Sequence, residues 1–516
     1  MKHCPICQQT YVDDTLNYCL EDGSTLITDE FISNSPTLVF RPSFPELISH
    51  RSFETALPSI AILPFVNVSN DMENEYFCDG LAEELINSLM KLDKLRVAAR
   101  TSTFSFKGRE SDVRYIGQAL NVQTVLEGSV RKAGNRLRIT VQLINVVDGY
   151  QLWSERYDRQ LEDVFEIQEE IALAIVDSLK VKLLSNEKAV LRKRYTDNVE
   201  AYQLYLKGRL WNRRTADGFK SAIGYFKQAI ELDDEYAVAY SGLADYHSLL
   251  GFYEILPPGI AAERSKEYAN KAIELDNTIA ETHASYGATL GLFDWNREKA
   301  QKEYERAIEI NPNYLAAHQF YSLNLLLEGR IPEGLEKAKH CLEIDSLLPV
   351  INANLAWHYY LSRQYEKAEE QALLTIKIEP NHFTAHWILG ITYAAQKRFD
   401  KAIEALQNGV TTGSNRAFVV AELGRVLAMA KKKREARKIL SDLEKAAVEN
   451  YVSPINFAKI HLGLGETEKV FEWLEKGLKE RSLRMPFFII DPQLDELHSD
   501  ERLINIAQTA GLKLNN

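Results

Sequence analysis

Between residues 59 and 183 the apolar positions change period several times. Ser59-Ile-Ala-Ile-Leu-Pro-Phe65 is a short apolar run of the kind that forms a buried strand. Leu81, Leu85 and Leu89 then recur at helical spacing, and Asp79 stands where a helix cap would be placed. Residues 95–99 read as a second strand, and residues 111–120 as a second helix. Within Arg136–Leu143 the apolar residues Leu137, Ile139, Val141 and Leu143 alternate. The turn signals Ala133-Gly134-Asn135 and Asp148-Gly149 flank them, a hairpin pattern. Val164, Ile167, Ile171, Ile175, Leu179 and Leu183 form the stripe of a last helix. Residues 58–185 are therefore expected to be an α/β (α+β) domain with an antiparallel meander.

From residue 199 onward the pattern repeats. One helix ending recurs as Ala229-Ile-Glu-Leu-Asp233, Ala272-Ile-Glu-Leu-Asp276, Ala307-Ile-Glu-Ile-Asn311, Cys341-Leu-Glu-Ile-Asp345 and Thr375-Ile-Lys-Ile-Glu379. The intervals are 43, 35, 34 and 34 residues, and the longest includes a turn insertion, Leu256-Pro257-Pro258-Gly259. Small residues stand seven positions before these endings at Ala222, Ala300, Gly334 and Ala368, and again at Ala402, where paired helices must approach closely. A period of ~34 residues is that of the tetratricopeptide helix–turn–helix. Residues 199–481 strongly resemble seven or eight such repeats, which implies an all-α solenoid followed by a C-terminal cap at 482–516.

The register assigns inward-facing positions on the first helix of each pair. Tyr205, Arg209, Asp245, Trp357, Tyr360, Trp387 and Arg425 fall there, as a groove for a protein or peptide partner. The competing reading is that each packs against its neighbouring repeat. His283, His318 and His386 share one register position, which points to repeat packing. His382 and His386 sit four apart but lack the Glu of a zinc-binding H-E-x-x-H helix.

A second resemblance rests on "SIAILPFVNVS", "EYFCDGLAEELINSL", "RVAARTSTFSFKG", "VLEGSVRKAGNRLRITVQLINVVDGYQLWSERYDR" and "FEIQEEIA". These segments resemble, in order, the FlgO-like, TolB amino-terminal-like domain. In bacterial signalling proteins that module often lies between an effector and tetratricopeptide repeats. The effector is an adenylate cyclase, a protein kinase or a winged-helix DNA-binding domain. Only 57 residues precede the module in this sequence, too few for any of the three, so cyclase or kinase activity is not expected. Within the module the ends of the strands point to Arg100, Thr101, Ser102 and Lys107 as a candidate ligand cluster. No Walker loop, G-x-S-x-G elbow or kinase catalytic loop is present, so no catalytic residues are assigned.

Residues 1–26 resemble half a zinc ribbon. Cys4-Pro-Ile-Cys7 and Cys19 supply three thiolates, and Asp22 stands at the fourth-ligand spacing. A structural Zn2+ is expected there, since zinc accepts carboxylate oxygen and a unit this small has little core of its own. His3 is an alternative fourth ligand, and a metal-free descendant that keeps Asp22-Gly23 for its turn is the alternative to the metal. Residues 27–57, with Pro36, Pro42 and Pro45, read as a linker.

Charge narrows the partners. With 61 basic and 73 acidic residues the net charge is −12, which argues against broad phosphate-backbone binding. The run Lys431-Lys432-Lys433-Arg434 is a local exception, expected to be a solvated turn. No apolar run reaches the ~18–20 residues of a membrane span, and clustered thiols fit a reducing compartment, so a cytoplasmic location is expected. Cys78 and Cys341 are isolated and expected to be buried and inert. The leading expectation is a non-enzymatic adaptor. The alternatives are a regulator contacting DNA or polymerase through the ribbon, or a partner of a separate cyclase or kinase.

Overall fold

In the computed structural model the described residues are 57–69, 71, 74–109, 111–210, 216–414, 416–512 and 514, with three short strands before them. The chain divides into two compact units, Met1–Ala56 and Leu57–Asn516. In the first, β1 (Lys2–His3) pairs antiparallel with both β2 (Thr10–Tyr11) and β3 (Ile27–Thr28). The expected zinc ligands Cys4, Cys7, Cys19 and Asp22 lie outside the described residues.

The second unit opens with a mixed sheet built on β4 (Ser59–Ile62), β5 (Val66–Asn67), β6 (Arg96–Val97), β7 (Thr124–Ala133), β8 (Arg136–Asn145) and β9 (Gln151–Gln160). The strand order is β6-β4-β7-β8-β9, with β4 parallel to both its neighbours and β5 parallel to β7. The last three strands form the expected meander. Gly134, at φ +60°, takes the left-handed position in the two-residue turn between β7 and β8.

Alternation along β8 sends Leu137, Ile139, Val141 and Leu143 to one face. There α1 (Glu75–Leu89) and α4 (Val164–Ser178) cover them. α2 (Arg100–Phe104) follows β6, and α3 (Val113–Leu120) lies on the other face, with Ile116 against Ala61, Leu63 and Val125. α1 begins one turn earlier than the sequence suggested. Its stripe runs back from Leu81 to Phe77, four residues before, and burial of that residue extends the helix to Glu75. Asp79 is therefore a buried mid-helix residue rather than a cap. Glu83 and Glu84 lie well beyond the first turn of α1.

Among the described residues, eight helix pairs follow α5 (Ser185–Leu191): α6 (Val199–Leu210) and α7 (Ala216–Leu232), α8 (Ala237–Phe252) and α9 (Pro258–Leu275), α10 (Ala280–Ala288) and α11 (Arg297–Ile310), α12 (Leu315–Leu327) and α13 (Ile331–Ile344), α14 (Pro349–Leu361) and α15 (Tyr365–Ile378), α16 (Phe383–Ala395) and α17 (Phe399–Thr412), α18 (Ala417–Met429) and α19 (Lys433–Glu449), and α20 (Pro454–Leu464) and α21 (Thr467–Lys479). The chain thus carries a tetratricopeptide-like solenoid. Ala222, Ala300, Ala368 and Ala402 have no exposed surface, as close helix approach requires.

The repeated ending has a local cause. Asp233, Asp276, Asn311 and Asp345 each follow a second helix and accept a hydrogen bond from the amide two residues on, at 3.1, 2.9, 3.1 and 3.2 Å. This is the Asx turn that starts the next repeat. The odd intervals are explained too. The extra residue of the 35-residue interval is taken up by a π-helical turn, Thr289–Phe293. The 43-residue interval lengthens α8 and α9 and leaves a turn, 253–257, that reaches across the superhelix. Glu254 there meets Arg484 at 3.0 Å and Asn456 at 3.0 Å, and Arg416 stacks over Tyr253 at 4.8 Å.

The chain ends in α22 (Met485–Ile489) and α23 (Glu501–Thr509), after which Ala510 accepts a bond from Arg297 at 2.9 Å. The run Lys431–Arg434 is exposed where α18 turns into α19. Cys78 and Cys341 are buried free thiols, both pushed up to about 12 mainly by burial.

Candidate functional site

The inner wall of the solenoid is where the groove residues were expected. The first helices of the pairs do bring them inward, but not as exposed anchors. Trp357 meets Trp387 edge-on at 5.6 Å between ring centroids, and Trp387 meets Phe418 edge-on at 5.4 Å. Phe487 of α22 lies 4.7 Å from Trp357, and the Tyr360 hydroxyl donates to Asp491 Oδ1 at 2.6 Å. Trp357, Tyr360 and Trp387 are only 8%, 0% and 4% exposed. The expectation of exposed aromatic anchors is corrected here: the C-terminal segment closes over Trp357 and Tyr360, and Trp387 packs between Trp357 and Phe418. Burial pushes the Asp491 carboxyl up to about 6.

Arg425 is buried as well. It pairs with Glu422 on its own helix, whose other oxygen accepts from Lys459 of α20 at 2.8 Å. The two cations hold the Glu422 carboxyl down to about 2 despite burial. At the other end of the solenoid Tyr205 packs against Tyr236 and Phe226, at 5.5 and 5.9 Å. Arg209 donates to Glu83 of α1 at 2.7 Å. Asp245, half-buried, accepts from Ser285 at 3.3 Å.

The expected ligand cluster of the α/β domain is also engaged within the chain. Arg100 pairs with Glu83 at 2.7 Å, so that one carboxylate joins α1, α2 and α6. Ser102 donates to Asp345 at 2.7 Å, and Thr101 is a second hydrogen-bond partner of that carboxylate. Lys107 is held between Asp79 at 2.6 Å and Glu75 at 2.6 Å. Asn313 adds a bond to the Met90 carbonyl at 3.2 Å. Ser102, Asn313 and the Glu83 carboxylate thus fasten the α/β domain to the repeats, while Lys107 ties the segment after α2 to α1 of its own domain. Glu83, Asn313, Asp345, Phe487 and Asp491 were missed because none of them shows a partner along the sequence. The nearest signal was Asp345 itself, the repeat-ending residue with a second task.

Two cavities among the described residues adjoin the α/β domain. A small one of about 80 Å³ lies where α1, α4 and the first repeats meet, lined by Glu84, Lys91, Phe165, Tyr195, Tyr202 and Glu281 among others. Burial and nearby Glu83 push Glu84 up to about 7. A more open cleft of about 610 Å³ lies on the sheet face that α1 and α4 leave bare. Its floor is Glu127, Ser129, Thr140 and Gln142, and its wall is Leu63, Pro64, Val66 and Ile116. It sits at the carboxyl end of β4, the preferred ligand position of such sheets. Among the described residues no His, Cys, Asp and Glu cluster could hold a metal, and no helix is long and apolar enough to cross a membrane.

Comparison with known proteins adds relatives for both halves. Residues 55–189 match the model of the HilA/YgeH-like transcriptional regulator second domain, and residues 296–314 match a tetratricopeptide repeat. A protein of Rhizobium meliloti named "Putative adenylate cyclase 3" is 47% identical over 154 residues, 30% of this chain and 26% of that one. The transcriptional regulator HilA of Salmonella typhimurium is 20% identical over 354 residues, 65% of this chain and 58% of that one. The chain therefore spans about a quarter to somewhat over half of these relatives. Among solved structures, the tetratricopeptide protein YrrB has a TM-score of 0.25 at 20% identity, covering 36% of this chain and 91% of that one. A monomeric mutant of IFIT1 bound to m7Gppp-AAAA has a TM-score of 0.46 at 13% identity, covering 68% and 86%.

Proposed function

We propose that this chain is a non-enzymatic scaffold for protein–protein contacts in bacterial signalling or regulation. Its solenoid takes a polypeptide partner on the inner wall, and its α/β domain docks on the repeats and senses through the open cleft. One observation carries the reading: the inner wall already holds polypeptide, in the form of the chain's own segments. Trp357 receives Phe487, Tyr360 receives Asp491 and Arg209 receives Glu83. A partner segment offering an aromatic ring and a carboxylate four residues apart would reproduce the first two contacts by displacing Phe487 and Asp491. Burying a ring against Trp357 supplies affinity, and the carboxylate bond supplies register.

The similarity of residues 55–189 to a module of a transcriptional regulator favours a second reading, in which the chain regulates transcription. The net charge of −12 weighs against the chain itself tracking DNA. The FlgO-like resemblance of the same region supports a signalling context. Within the N-terminal unit, Cys4, Cys7, Cys19 and Asp22 are proposed to hold a structural zinc. The Cys4-x-x-Cys7 and Cys19-x-x-Asp22 spacings are what supports that reading. The clustered thiols favour a cytoplasmic setting.

Capture of the tagged full chain from its native extract tests the function. One protein recovered in fixed proportion across a salt series supports the scaffold. DNA that is lost as salt rises supports the second reading, and recovery of neither overturns the scaffold.

A further inference from the structure

The outer strand of the mixed sheet has one neighbour where inner strands have two. Among the described residues β9 pairs only with β8, leaving its other edge of backbone N–H and C=O groups unpaired. Of Gln151–Gln160 all but Trp153 and Tyr157 are exposed. The strand is ten residues long and contains neither Pro nor Lys, which commonly blunt such an edge, and its charges are the two pairs Glu155, Arg156 and Asp158, Arg159. Its pairing with β8 is continuous from Arg136–Gln160 to Leu143–Trp153, so the edge over these residues is regular.

The charges on this strand have an order that a random exposed strand lacks. In Ser154-Glu-Arg-Tyr-Asp-Arg-Gln160 the charges are inverted about Tyr157, so the segment is self-complementary. When the segment is laid antiparallel on a copy of itself with Tyr157 opposite Tyr157, Glu155 falls opposite Arg159 and Arg156 opposite Asp158. Opposite residues of an antiparallel pair lie on the same face of the sheet, so each of these couples is within reach. The twofold symmetry makes every couple twice, four in all.

Within one chain these charges are unevenly used. Asp158 already holds Arg138 at 2.5 Å and Arg156 at 3.0 Å. Neither Glu155 nor Arg159 has an ion-pair partner among the described residues. Self-pairing would give both of them one.

We propose that β9 is a self-association edge, on which two copies of this chain pair antiparallel about a twofold axis at Tyr157 and join their sheets into one. Such an interface is isologous, the commonest form of homodimer. Main-chain bonds provide the attachment and the self-complementary charges fix the register. The proposal does not depend on the inner wall, which lies on the solenoid.

Sedimentation velocity of the full chain over a range of concentrations tests it. The wild type is expected to show a monomer–dimer equilibrium that weakens with salt, because exposed pairs are screened. Glu155→Arg and Arg159→Glu each put like charges at two symmetric couples, and each is expected to weaken association by roughly tenfold or more. An equimolar mixture of the two single variants restores opposite charges at both couples and is expected to dimerise again, as is the E155R/R159E double variant. Both positions are exposed, so thermal unfolding of the variants should match the wild type. A wild type that stays monomeric at every attainable concentration overturns the proposal. So does undiminished association of the single variants, which would place the contact elsewhere or assign the edge to another partner. A mixture that stays monomeric overturns it as well.

Discussion

His283, His318 and His386 occupy one position in three helix pairs and do the same work there. Each offers Nε2 to the carbonyl six residues earlier, of Asn277, Pro312 and Pro380, at 3.0, 2.8 and 2.8 Å. Asn352 holds the equivalent place in the next pair after His318, and donates to the Ser346 carbonyl at 2.9 Å. The position therefore needs a short side-chain donor to tie down the inter-repeat turn, and an imidazole is one way to supply it. At His318 burial pushes the pKa down to about 4, below the ordinary value of 6.5. The unfolded chain binds this proton first as pH falls, so stability is lost between about 6.5 and 4. His318→Asn keeps a donor and removes the titration. Its melting temperature should fall less than that of the wild type between pH 7 and pH 5, a difference of at most ~2 kcal/mol in stability at pH 5. An identical acid dependence in the two proteins would contradict this. The proposed ribbon is tested at the same scale. Metal analysis of the purified full chain should give one zinc per molecule, and Cys19→Ser should lose it; equal zinc content in the two would remove the site.

At the scale of the helix pair, the aromatics expected to face a partner are shared core. Trp387 lies on α16, yet it touches Trp357 of α14 and Phe418 of α18, and Lys459 of α20 sits 5.8 Å over its ring. Truncating it leaves a cavity where several repeats converge. Trp387→Ala should cost ~3–5 kcal/mol, seen as a lower urea midpoint at unchanged slope. A midpoint within error of the wild type would return Trp387 to the surface. The same convergence explains why Glu422 is tolerated in the core. Lys459 comes from the neighbouring pair and, together with Arg425, leaves neither oxygen of the carboxylate unpaired.

At the scale of the whole second unit, a single carboxylate links three elements from two domains. Glu83 of α1 takes Arg209 of α6 and Arg100 of α2, both at 2.7 Å. One hydrophobic cluster runs beneath, from Leu85 and Ile171 to Tyr205 and Phe226. The α/β domain and the first repeats should therefore unfold together. Glu83→Ala leaves two half-buried guanidiniums facing each other, a loss of roughly 3–5 kcal/mol for a buried pair and less for the part of these that is solvated. Hydrogen exchange should then show α1 and α6 losing protection to the same extent. Loss confined to one of them would mean that the domains are independent.

Sequence alone determined what repeats and what alternates. The ~34-residue period, the Asx residue after each second helix and the small residues between paired helices are local requirements, satisfied within one repeat or between neighbours. The meander likewise follows from period-two alternation and the turn at Gly134. Tertiary structure alone decided which surfaces stay open. The inward register of Trp357, Tyr360 and Trp387 was legible, but their burial was not, because Phe487 and Asp491 lie about 100 residues or more away along the chain. Ser102 looked free for a ligand for the same reason: Asp345 belongs to a repeat 243 residues beyond it. A residue's neighbours along the chain fix its helix or strand and the face it presents. What covers that face depends on how far the superhelix turns, and that angle accumulates from small rotations at every repeat.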